Sequence, residues 1–177
     1  MSQLQTLSYS QMRYSILSSL GQLNLDMQPI LRVDMKVFRD FASEMKKNEE
    51  LQVGVFSSQS ARKGAEATNA QIGFLMEFGV PTKQIPARSW LIMPIKRSIN
   101  DVLDEVRKLK IAKKLKVSLL KAIGVKFREK IQKAFETSGF GTWAPNAPST
   151  VVKKGSSMPL IDTGQLRKSV SSRVVKK

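Results

Sequence analysis

The residues of this chain best placed to do chemistry are Asp162, Thr163 and Gly164, in the run LIDTG at 160–164. An Asp-Thr-Gly tripeptide behind apolar residues is what small dimeric aspartic proteases use. Each chain supplies one carboxylate, and the facing pair shares a proton. Such an enzyme needs a mostly β scaffold, a flap hairpin and ample chain beyond the aspartate. Only 13 residues follow Gly164, and the apolar spacing is more helical than β. The alternative gives every residue a structural task. Asp162 is expected as the N-cap of a short helix running to about Ser169, its carboxylate accepting first-turn amides for about 1 kcal/mol. Gln165 would complete a variant capping box, and Gly164 would permit a tight entry or a close approach. Arg167 and Lys168 would favour the negative pole of that helix.

Glu77 is the second carboxylate of interest. It falls at the end of an expected helix, against the dipole preference, which calls for a specific partner. Arg88, in the segment IPARSWL at 85–91, is the candidate for a charge-assisted pair. A catalytic Glu77 is disfavoured because no second acid or metal ligand accompanies it. Gly54, Gly64, Gly73 and Gly79 are too scattered for a phosphate-binding or dinucleotide loop. The chain has no histidine and no cysteine. Ser-His-Asp and Cys-His catalysis, disulfides and zinc-thiolate sites are therefore outside its means, and no cofactor or metal is expected.

Net charge is +16, from 30 basic and 14 acidic residues. Such a balance attracts a polyanion. The excess is concentrated: 96–133 holds 13 Lys or Arg against four acids, a net +9. Lys108, Lys110, Lys113, Lys114 and Lys116 form its densest part and are candidates for contact with an acidic partner or with phosphate. Lysines outnumber arginines there and aromatics are sparse, so base reading and base stacking are not expected. Non-specific phosphate contact is, which makes a general nucleic-acid-binding module one functional alternative. No apolar run reaches membrane-spanning length, and MSQLQTLSYSQMRYS lacks the pattern of a secretion signal. No membrane partner is expected.

The elements that must position these residues can be read in outline. At 177 residues and 41% hydrophobic, the chain suits one domain with extensions. Residues 1–28 are Ser/Gln-rich and read as an N-terminal extension to a domain over 29–177. Asp34 is placed to cap an amphipathic helix carrying Met35, Phe38, Phe41, Ala42 and Met45. LQVGVF at 51–56 reads as a strand and 57–64 as a polar loop. Thr68 and Gln71 form a capping box ahead of a helix from about 69 to 78, which Gly79 ends. Pro86 keeps 85–90 extended. Ile99, Val102, Leu103, Val106 and Leu109 make one helical stripe. Val117, Leu120, Gly124, Phe127, Ile131, Ala134 and Phe135 make another. Whether the two join as one rod or bend at 111–116 the spacing leaves open. Gly139 and Gly141 close the second. Residues 144–158 read as a long loop, and VSSRVV at 170–175 has strand character.

These residues also carry a resemblance. TNAQIGFLMEFG at 68–79, followed by IPARSWL, resembles the central signature of the virion-morphogenesis, or tail-completion, family of tailed bacteriophages. The spaced Trp143, Pro145, Thr150 and Lys154, and then PLIDTGQLRKSV at 159–170, are similar to that family's C-terminal signature, in the same order. The resemblance spans roughly 35–175, and Trp90 stands where many relatives have Phe. It implies an α+β domain with long helices against a small antiparallel sheet. It also implies a non-enzymatic protein of the neck in the virion, assembled in the host cytoplasm as a homo-oligomeric ring, hexameric or higher. Its partners would be the connector or head-completion proteins and the tail tube or terminator. Glu77, Phe78, Gly79, Ile85, Pro86, Arg88, Trp143, Pro145, Thr150, Asp162, Thr163, Gly164 and Leu166 would then define the fold and pack subunits.

Overall fold

A computed structural model describes residues 49–56, 58, 60–62 and 67–176. The extension at 1–28, the helix expected after Asp34 and half of the 57–64 loop lie outside the described residues. What is described is an α+β fold with long helices packed on a small sheet.

Strand β1 (Glu49–Val55) and strand β2 (Val170–Lys176) pair antiparallel, with Glu49 opposite Lys176 and Val55 opposite Val170. Helix α1 (Asn69–Phe78) begins at the expected capping box. The Thr68 hydroxyl accepts the Gln71 amide at 3.2 Å, and the Gln71 side chain accepts the Thr68 amide at 2.8 Å. At its other end Gly79 turns the chain with φ 74°. A Cβ there would stand 2.6 Å from the Ala87 nitrogen, so the position admits only glycine without rearrangement. The chain then folds back: Val80 and Ile85 bridge around a 3-10 turn at Pro81–Lys83.

The two apolar stripes form separate helices, α2 (Ile92–Ile111) and α3 (Leu119–Glu136). Glu105 of α2 meets both Lys126 (3.3 Å) and Lys130 (3.1 Å) of α3, where the two helices pack on each other. The chain bends at 112–118, where the spacing had left the matter open. Helix α2 stops there by a backbone turn in which the Lys114 amide donates to the Leu109 carbonyl. Ser118 then caps α3, accepting the Lys121 amide at 3.4 Å. Ile99, Val102, Leu103 and Val106 are buried as the first stripe requires, and Leu120, Phe127, Ile131, Ala134 and Phe135 as the second does. Val117 is 50% exposed, because it precedes the helix and falls in the turn.

Helix α3 crosses the sheet, and Gly124 makes the contact close. A Cβ there would reach 2.8 Å from Leu51 Cδ1 and 2.9 Å from the Ser172 hydroxyl. The core gathers Val55, Trp90, Leu91, Ile131, Ala134, Phe135, Trp143, Leu166 and Val170. At its centre Phe135 lies between the two tryptophans, 5.9 Å from Trp90 and 5.7 Å from Trp143 between ring centroids.

Two expectations are corrected. The stretch at 144–158 is not all loop, since α4 (Pro148–Lys154) forms within it. Pro148 occupies the first helical position, where a proline loses nothing, and Gly155 ends the helix. Asp162 is not an N-cap. Helix α5 (Gln165–Ser169) is preceded by Gly164, at φ 71°, with no side-chain capping bond. The left-handed glycine turns the chain away from Asp162, so its carboxylate does not reach the first-turn amides. Gln165 reaches the Thr163 hydroxyl at 3.0 Å instead of closing a capping box.

Candidate functional site

Some of the residues singled out in the sequence, Glu77, Arg88 and Trp143 among them, meet between the end of α1, the entry to α2 and the segment after α3. Glu77 is buried, on the last turn of α1. Its carboxylate accepts the backbone amides of Leu91 (2.8 Å) and Ile92 (3.1 Å) and the Ser89 hydroxyl (2.5 Å). Those amides open α2, so Glu77 caps that helix from a distance and stands at its positive pole. Here lies the resolution of its awkward place on α1. The negative pole of its own helix is outweighed by the amides of the next one.

Arg88 is not its partner, contrary to the sequence expectation. No ion pair joins the two among the described residues. Arg88 is buried and turns to the other side, donating through Nε to the Ala144 carbonyl and through a terminal nitrogen to the Pro145 carbonyl, both at 2.8 Å. Burial pulls its guanidinium below the ordinary value. Two carbonyls of one loop, met by two prongs of a planar fork, suit arginine and not lysine. The Arg88 amide itself donates to the Met76 carbonyl at 2.7 Å, which ties 85–90 back onto α1.

Both tryptophans add directional bonds. Trp90 Nε1 donates to the Gly73 carbonyl at 2.8 Å and Trp143 Nε1 to the Ser89 carbonyl at 3.3 Å. Gly73 allows the indole against α1: a Cβ there would stand 2.8 Å from Trp90 Cζ2 and 3.2 Å from Leu166 Cδ1. Leu166 fills the far side of that contact, at 3% exposure. Lys154 donates to the Met158 carbonyl at 2.8 Å and so holds the end of α4 against the following turn. Burial lowers its pKa, with Asp162 opposing and Arg88 reinforcing the shift.

The remaining residues lie at or near the surface. Phe78 is 50% exposed, with its ring 5.0 Å from that of Phe74. Pro86, Pro145, Asp162 and Thr163 are exposed, and Thr150 and Gly164 are half-buried. Asp162 lies 3.7 Å from Arg62, in a pair open to solvent on the carboxylate side. Lys108, Lys110, Lys113, Lys114 and Lys116 are all exposed around the end of α2 and the turn beyond it, far along the chain from the tryptophan core.

Comparison with protein-family models, with curated proteins and with solved structures finds no match. What the site does must be argued from its own groups.

Three residues that matter to this site went unread in the sequence. Ser89 bridges Glu77 and the Met93 amide (2.9 Å), and a serine shortly before a helix was the available signal. Ser60 supplies its carbonyl to the Asn69 amide (2.7 Å) and its hydroxyl to the Ala70 amide (3.1 Å). Gln132 exchanges two hydrogen bonds with Arg167, tying α5 to α3. Neither of the last two has a local signature, because each partner is distant or lies in irregular chain. Among the described residues, no buried side-chain nitrogen or oxygen lacks a partner. The arrangement holds segments together.

Proposed function

We propose that this chain is a non-enzymatic structural protein of the head-tail junction of a tailed bacteriophage. It acts as a subunit of a homo-oligomeric ring that completes the tail and joins it to the head connector, and its place is the virion neck. The observation that carries this reading is the pair of hydrogen bonds that Arg88 donates to the carbonyls of Ala144 and Pro145. It joins the two blocks on which the family resemblance rests, some 56 residues apart in the chain, into one packed unit. A chance likeness of two short motifs gives no reason for them to meet in space.

Further support comes from what the shared residues do. Glu77, Arg88, Trp143 and Leu166 are spent on caps, backbone bonds and core contacts. Phe78 and Leu75, at 50% and 42% exposure, leave apolar surface on α1 of the kind that subunits cover. Asp162 faces solvent beside Arg62, where a dry pair of carboxylates sharing a proton has no support from its surroundings.

Electron microscopy of the purified protein, alone and with tail tubes, tests the proposal. Rings, or tubes closed at one end, are the expected result. A compact monomer that ignores tubes overturns it.

A further inference from the structure

We propose that the tip of the α2–α3 hairpin is a docking site for the phosphate backbone of duplex DNA, bound without regard to sequence. The inference is independent of the neck reading and stands on three observations.

The first is how charge is partitioned along the hairpin. Acids and bases are interleaved below the tip, where Glu105 holds Lys126 and Lys130, Glu129 holds Lys126, and Glu136 holds Arg167. From 106 to 125 there is no acid at all, and the segment carries Arg107, Lys108, Lys110, Lys113, Lys114, Lys116 and Lys121. All seven are exposed. Arg107, Lys108, Lys113, Lys114, Lys116 and Lys121 make no ion pair among the described residues. Like charges gathered this way repel each other, and a bound polyanion relieves the repulsion while releasing its own counterions.

The second is backbone conformation. Lys113 has φ 54°, in the left-handed region, directly after the last turn of α2. That position normally goes to glycine, since a side chain is strained there. A lysine held in that conformation sets its charge at the apex of the turn at a cost in stability. The third is the orientation of α3. Its positive pole opens onto the same turn, with no acid in the first helical turn to offset it.

Duplex DNA fits this surface better than the other polyanions. Six of the seven cations are lysines, point charges suited to phosphate and not to reading base edges. No aromatic side chain occurs from 106 to 125, so single strands find nothing to stack on. Ile111 (72% exposed) and Val117 (50%) are separate aliphatics among lysines, not the continuous apolar face that lies in a lipid surface.

The test uses the full chain and a fluorescent duplex of mixed sequence, with affinity read between about 50 and 300 mM salt. A tip variant, K108Q/K113Q/K114Q/K116Q, is compared with K83Q/K153Q/K168Q/K176Q, which has the same net charge and also replaces exposed lysines. The tip variant should bind at least about tenfold more weakly at low salt, with the slope of log affinity against log salt shallower by about three to four. The control variant should stay within about threefold of the parent. Lys113→Gly separates folding from binding: it should melt higher than the parent yet bind the duplex more weakly. Equal losses in both fourfold variants overturn the proposal, as does a parent that fails to bind duplex at low salt. Vesicles of anionic lipid, or polyglutamate, held more tightly than the duplex through the same lysines would also overturn it.

Discussion

The Glu77 carboxylate accepts the Leu91 amide at 2.8 Å, so the last turn of α1 caps the first turn of α2. The two helices are thereby fixed at an angle by one buried side chain that also holds the Ile92 amide and the Ser89 hydroxyl. Its truncation leaves buried donors without partners. Glu77→Ala should destabilise the fold by about 2–3 kcal/mol, read as a shift of the denaturant midpoint. Glu77→Gln should cost less, about 1 kcal/mol, because one oxygen still accepts while its amide group opposes a second donor. A silent Glu77→Ala would mean that solvent takes over the cap.

Arg88 makes a more demanding prediction. Its two bonds leave from different nitrogens of one plane and end on adjacent carbonyls. A lysine keeps the charge but can meet only part of that geometry. Arg88→Lys should therefore cost about 1–2 kcal/mol, as a conservative change on paper that is not one in place. Thermal unfolding of the two proteins side by side checks it.

Local signals in the sequence were legible where the interaction was local. The Thr68–Gln71 box, the stop at Gly79 and the apolar stripes of α2 and α3 all depend on neighbours within a few residues, and they appear where the spacing places them. Residues 148–154 escaped because a proline and several polar residues read as loop, although Pro148 stands at the one helical position that tolerates it. Partner choice was not legible. Glu77 was right to expect a specific partner, but backbone amides 14 residues away leave no mark on side-chain pattern. Arg88, the opposite charge in the extended segment that follows, was the wrong one for the same reason. Asp162 failed on a dihedral angle: capping needs the chain before the helix to be extended, and Gly164 is left-handed.

That correction has its own consequence. Among the described residues Asp162 makes one ion pair, with Arg62 at 3.7 Å, and its side chain is 53% exposed. Ion pairs of this kind contribute little, so Asp162→Ala should change stability by less than about 0.5 kcal/mol. A loss near the full cost of a helix cap would restore the capping role that the geometry denies.

Gly73 tests the core from the other direction. An added methyl would stand 2.8 Å from Trp90 Cζ2 and 3.2 Å from Leu166 Cδ1, and Trp90 is also bonded to the Gly73 carbonyl. Neither neighbour can retreat into solvent, since both are buried. Gly73→Ala should cost about 1–3 kcal/mol through overpacking, despite the better helix propensity of alanine. Tryptophan emission should shift with it, because the indole must move.

The hairpin carries a pH dependence whose sign follows from Glu105. Hydrogen bonding from Lys130, with further help from Lys126, holds its carboxyl below the ordinary value of 4.5. A depressed carboxyl favours the folded state when ionised, so its contribution is complete above that ordinary value. It is lost as pH falls through the lower, folded-state value. Other carboxylates titrate in the same range, so the informative quantity is a difference. The melting temperature of the parent should exceed that of Glu105→Gln at pH 7, and the gap should narrow only below about pH 4.5. Added salt at pH 7 should narrow it as well, since the bridge is partly open to solvent. A gap that is constant from neutral to acid pH would show that Glu105 acts by packing, and that its two lysines do not couple α2 to α3 through charge.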